Sequence, residues 1–170
     1  MTGEQAKAAA DVILTVWEGE FSATCQVLAA VKEDNRDYKP DPKSRTAWQL
    51  AKHIAATDIW FMDSILAGAF DPKASQAIES QFQNVAGLVE YYTTTFPEKV
   101  AALRALPGDT LAASMSFFGM FNWPRVQFVG FANNHGIHHR GQLAAYLRGM
   151  GSKVPNIYGP SADAEPMPAK

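Results

Sequence analysis

The sequence predicts an all-α fold, a four-helix bundle, and three observations carry that expectation. Apolar residues recur at three- and four-residue steps through four long segments. Strand-like alternation is nearly absent. At 170 residues the chain is long enough to bury one core and short for two domains. Residues 1–170 are read as a single helical domain, with 158–170 as an irregular, proline-bearing tail.

The first helix is expected over about Glu4 to Val31, where Val12, Leu14, Trp17, Phe21, Thr24, Cys25 and Leu28 repeat at helical steps. The polar loop KEDNRDYKPDPKS follows and is long enough to cross a bundle end. The second helix begins near Ser44 or Thr46; Thr46 with Gln49 three residues on fits a capping box. It should end near Gly68. A third helix covers about Asn84 to Leu106, and Pro97 inside it lacks an amide proton, so a kink or a break is expected there. Residues 107–123, with AASMSFFGMF, read either as a short strand pair or as a loop packed on the bundle end. The last helix starts at Pro124, a residue favoured in a first turn, and runs to about Met150, where Gly149 and Gly151 supply the stop. Tyr158 is expected to fold back on the bundle. Four long helices in one unit pack most simply as a bundle.

Composition narrows the function. Lys and Arg total 15 against 17 Asp and Glu, and the basic residues are scattered, so no stripe forms that a nucleic acid would need. Glu4, Asp11, Glu18 and Glu20 argue against a signal peptide, and no apolar run reaches the roughly 18 residues of a membrane span. A cytoplasmic setting is expected. Cys25 is the single cysteine, so no internal disulfide can form; its apolar surroundings read as core packing rather than a reactive thiol.

The histidines are concentrated. Three of the four lie at 135, 138 and 139, in NNHGIHHRGQL, and the fourth is His53, in LAKHIAATDIWF. With Phe128 set at zero on a helical wheel, His135 falls near −20°, His139 near +20° and Tyr146 near zero. His138, near about −80°, flanks this inward stripe, and Arg140, near about +120°, points away from it, toward an inter-helix ion pair. On the second helix Leu50, His53, Ile54, Thr57, Trp60, Phe61 and Ser64 share one face. Imidazoles at i and i+4 can converge on one ion, and a third from another helix can join them. Burying several imidazoles without partners would be costly, which makes plain packing hard to accept; a hydrogen-bonded polar core is the competing reading. Gly136 stands where a zincin helix carries its glutamate, and no E-x-x-H pair of a di-iron bundle occurs. A second stripe, Val126, Val129, Ile137, Ala144 and Leu147, flanked by Gly130 and Gly136, packs on a neighbouring helix or on a second copy.

These residues resemble the DinB superfamily, the YfiT-like group of metal-dependent hydrolases and thiol S-transferases. The resemblance rests on the second-helix histidine and on NNHGIHHRGQLAAYLRGMGSKVPNIYGPSAD, which follows the family's H-x-x-x-H-R-G-Q-L-x-x-Y-L-R run and its G-x-x-V-P-x-x-Y-G-x-S-x-D close. It implies a four-helix bundle of DinB/YfiT-like type holding one divalent ion, nickel or zinc, on His53, His135 and His139. It also implies a homodimer, and relatives that include thiol-dependent S-transferases and a mycothiol-dependent maleylpyruvate isomerase. Ala164 departs from the family, which often places an acidic residue directly after the position of Asp163; Glu165 comes one step later.

Three neutral imidazoles leave an ion its full double charge. A water on zinc would then have a pKa near about 7, or a low-molecular-weight thiol would be held as thiolate. The expected function is therefore hydrolysis of a small molecule or S-transfer to it, with a non-catalytic metal-binding or stress-response protein as the alternative. Trp60, Gln142 and Tyr146 are the candidate substrate contacts. No general base stands out among Asp58, Asp63, Glu18 and Glu90; Asp58 reads as solvated or as a partner for Arg140 or Arg148.

Overall fold

A computed structural model describes residues 1–163. The departure at Ala164 and Glu165, and the tail beyond 163, lie outside the described residues. The chain order is α1 (Gly3–Ala29), a 3-10 turn (Glu33–Asn35), α2 (Ala47–Ala67), α3 (Ala74–Glu79), α4 (Val85–Arg104), α5 (Gly108–Ala112), β1 (Ser114–Phe117), β2 (Phe121–Pro124) and α6 (Arg125–Gly149).

The four long helices form the bundle. Both α1 and α2 pack on α4 and on α6. Going round the bundle the order is therefore α1, α4, α2, α6, so helices consecutive in sequence need not be neighbours. The loop after α1 must cross an end, as its length suggested, and so must the segment between α4 and α6. That second segment holds α5 and an antiparallel hairpin in which Met115 pairs with Trp123. The strand-pair reading of this stretch is the one realised.

Local chemistry sets the helix ends. Thr2 and Thr46 each complete a capping box, with Gln5 and Gln49 answering. Gly68 closes α2 in the left-handed conformation at φ 80°. Asn84 caps α4 through the amide of Gly87. That helix runs unbroken through Pro97, which has no amide to donate to the preceding turn.

Burial refines the expected faces. Leu14, Trp17, Thr24 and Leu28 of α1 are buried, but Val12 is 66 % exposed. Val12 lies two residues from Leu14, about 200° round the helix, so both cannot face one core. Helix α2 is buried on nearly every face because three other helices surround it. Of the second stripe of α6, Val126 packs with Ala6, Ala10 and Leu111, Val129, Ala144 and Leu147 join the main core, and Ile137 is half-buried. Cys25 packs against the core, and burial pushes its thiol up to about 11, so it stays a protonated, inert group. No helix among the described residues is long and apolar enough to cross a membrane.

Candidate metal centre

Helix α2 presents His53, and α6 presents His135 and His139 from successive turns. The ring centroids lie 5.1 Å (His53–His135), 4.6 Å (His53–His139) and 4.4 Å (His135–His139) apart. One nitrogen from each ring can be chosen so that all three lie within 4.8 Å of one another. That triad can hold a metal ion. His138 is exposed and does not join it.

The surroundings orient two of the rings. Nδ1 of His53 lies 3.1 Å from Thr57 Oγ1 and 3.5 Å from Glu79 Oε1, and Nδ1 of His139 lies 2.7 Å from Gln142 Oε1. An acceptor opposite Nδ1 fixes the proton there and leaves Nε2 as the open lone pair, the usual support for a metal-ligating histidine. His135 Nδ1 is buried with no protein partner among the described residues. Burial, then the positive charge of His139, His53, His138 and Arg45, pulls His135 down from 6.5 to about 3. Burial is also the first cause of the lowered value at His139. Both are therefore neutral at pH 7, the form that ligates. A set of three neutral nitrogen donors fits a borderline divalent ion such as zinc or nickel.

His53 and His139 form one wall of a cleft of about 280 Å³, completed by Ser44, Arg45, Leu50, Gln142 and Tyr146. Gln142 thus borders the cleft while holding His139, and the ring of Tyr146 packs edge-on against Tyr38. Trp60 is elsewhere. It lies two helical turns, about 10 Å, beyond His53, beside Phe61 and Phe70, and its indole donates to the carbonyl of Asp71 at 2.8 Å. Phe61 is the aromatic residue that reaches the triad, with its ring 5.7 Å from that of His135.

Asp58 corrects the sequence reading. It is 1 % exposed rather than solvated, and Tyr92 donates to its Oδ2 at 2.8 Å. Arg148 pairs instead with Asp163, and Arg140 with Glu20 at 2.6 Å, the inter-helix pair foreseen for it. A Cβ at Gly136 would lie 2.9 Å from Asp58 Oδ1, so glycine is what lets α6 approach this carboxyl. Of the other candidate bases, Asp63 pairs with Lys99 and Glu18 with Arg104. Burial raises Asp58 from 3.8 to about 7, against the opposing pull of Tyr92 and Arg140. The folded state thus keeps a proton between those two values that the unfolded chain has released. Stability from this group is full below 3.8 and is lost as pH rises to about 7. Asp58→Asn is expected to become more stable relative to wild type as pH rises, by roughly 2–4 kcal/mol at pH 8. Urea unfolding of both proteins at pH 5 and pH 8 checks this, and a pH-independent difference would refute it.

These features make the molecule a helical bundle with a three-histidine cluster at the edge of a cleft. The chain belongs to the DinB family, whose profile matches residues 5–166. It is 28 % identical over 155 residues to the uncharacterized protein YrdA of Bacillus subtilis, covering 90 % of each chain. Against YjoA of the same organism it is 29 % identical over 134 residues, 76 % of this chain and 83 % of YjoA. The crystal structure of YjoA, described as a DinB-like protein, superposes with a TM-score of 0.68 at 26 % identity, covering 86 % of this chain and 97 % of YjoA. A DinB-like protein from Bacillus cereus superposes at 0.71 with 24 % identity over 86 % of this chain and 95 % of its own, a likeness of fold.

Proposed function

We propose that this DinB-family chain binds one divalent ion, nickel or zinc, through His53, His135 and His139, and is an enzyme that hydrolyses a small molecule or transfers a low-molecular-weight thiol to it. The observation that carries this reading is the approach of three imidazole nitrogens, from two helices, to within 4.8 Å. When bound, the ion supplies Lewis acidity toward water or a thiol. The residues supply the rest. Gln142, Thr57 and Glu79 hold the tautomers of His139 and His53. Leu50 gives the cleft an apolar wall, while Ser44, Gln142 and Tyr146 offer hydrogen bonds to a substrate.

The test compares zinc- and nickel-loaded protein with chelator-treated protein and with His139→Ala. Hydrolysis of 4-nitrophenyl acetate and conjugation of 2-mercaptoethanol to 1-chloro-2,4-dinitrobenzene are followed. Turnover that needs both the ion and His139 is expected. Stoichiometric metal without turnover in either assay would favour a metal-binding protein that is not an enzyme.

A further inference from the structure

We propose that Arg45 recognises a carboxylate on the small molecule that the three-histidine cleft binds, so that the ligand of this site is a small organic anion. The inference rests on the metal reading above and adds the chemical class of the ligand.

The chain has six arginines. Four are committed to carboxylates: Arg36 to Glu33, Arg104 to Glu18, Arg140 to Glu20 and Arg148 to Asp163. Arg125 donates to the carbonyls of Ile65 and Leu66 at 2.9 and 3.2 Å. Among the described residues Arg45 is the arginine that makes no hydrogen bond, ion pair or ring contact. Yet it lies in the wall of the cleft that His53 and His139 share. Among the described residues no acidic side chain lines that cleft, and the nearby Glu79 is turned to Nδ1 of His53. The exposed guanidinium, with no counter-charge among the described residues, is free to take an anion from solution, and its planar fork matches a carboxylate through two parallel hydrogen bonds.

The backbone holds Arg45 in place. Thr46, its neighbour, is fixed as the N-cap of α2 by hydrogen bonds in both directions with Gln49. Before it, Ser44 donates to the Asp41 carbonyl at 3.0 Å, and the carbonyls of Tyr38 and Arg36 accept from Ala47 and Trp48, each at 2.8 Å. The guanidinium is therefore carried by an anchored segment, and Ser44 adds a hydroxyl beside it. Such an arrangement selects ligands with an acid group a few bonds from the group that meets the imidazoles.

The test uses two thiols of similar size, 3-mercaptopropionate and 2-mercaptoethanol, one with a carboxylate and one without. Cobalt(II) is first titrated into metal-free wild type and Arg45→Gln, with stoichiometry read from visible absorption. Each thiol is then titrated into the cobalt-loaded proteins and its affinity read from the thiolate-to-cobalt absorption band. Both proteins should bind one cobalt and show the same helical circular dichroism, since Arg45 is exposed and holds no partner among the described residues. Arg45→Gln should weaken 3-mercaptopropionate by about tenfold or more and 2-mercaptoethanol by less than about twofold. Arg45→Lys should restore part of the loss. Cobalt binding with equal losses for both thiols, or with none, would overturn this inference alone. Failure of wild type to bind cobalt would remove the metal reading, and this inference with it.

Discussion

The His135→Ala variant is expected to lose divalent-metal affinity by more than about 100-fold, because changing residues that merely orient ligands already costs about 10 to 100-fold. The same variant should fold as well as the metal-free wild type. His135 has a buried Nδ1 with no protein partner, and its ring is too desolvated to take a proton near neutrality. Removing such a group forfeits some packing against Phe61 but also ends a desolvation penalty. A histidine retained only for the core would behave in the opposite way. Its loss would lower the melting temperature of the metal-free protein and leave metal content unchanged. Calorimetric metal titration together with thermal unfolding of the metal-free forms separates the two outcomes.

Arg140→Ala is expected to destabilise the fold by about 3–5 kcal/mol, the usual cost of leaving a buried ion without its partner. Arg140 is 2 % exposed and ties α6 to α1 and to the C-terminal segment at once. Its guanidinium pairs with Glu20 at 2.6 Å, donates to the Glu20 carbonyl and to Thr24 Oγ1, and donates to Tyr158 Oη at 2.7 Å. Tyr158 in turn donates to Glu20 Oε2 at 2.9 Å. Alanine would leave the Glu20 carboxylate, with a side chain only 15 % exposed, facing a void. It would also remove a positive charge that favours ionised Asp58. Arg140→Lys keeps the charge but loses the fork, so it should fall between wild type and alanine. Urea unfolding measures the three. Faster proteolysis near residue 158 in the alanine variant would report the released segment.

Much of this was legible in the sequence, and the parts that were not share a cause. The triad could be read because its information is local. The spacing of His135 and His139 fixes their angle on one helix, and His53 lies on an apolar face of another. The helix boundaries were legible at Thr46, Gly68 and Asn84 because capping is chemistry between residues close in sequence. Asp58 was misread because it lies off the His53 face, and a helix-wheel argument assumes that the far face meets water. Helix α2 is instead enclosed by α3, α4 and α6, so its far face is core as well. Glu79 and Arg45 gave no signal of their place in the site. One sits on a short helix and the other at the end of a crossing loop, and their positions depend on the path of the chain through the bundle. Trp60 shares an angular face with His53, but two turns of rise place it beside Asp71 and outside the residues that line the cleft.

X-ray absorption spectroscopy on zinc-loaded protein, with His53→Ala, His135→Ala and His139→Ala as comparisons, reads the ligand set itself. One ion per chain is expected, with three imidazole nitrogens at about 2.0–2.1 Å and lighter donors completing the shell. Each variant should show two imidazoles or no zinc. A wild-type spectrum with fewer than three imidazoles, or one left unchanged by any of the substitutions, would rule out the three-histidine site.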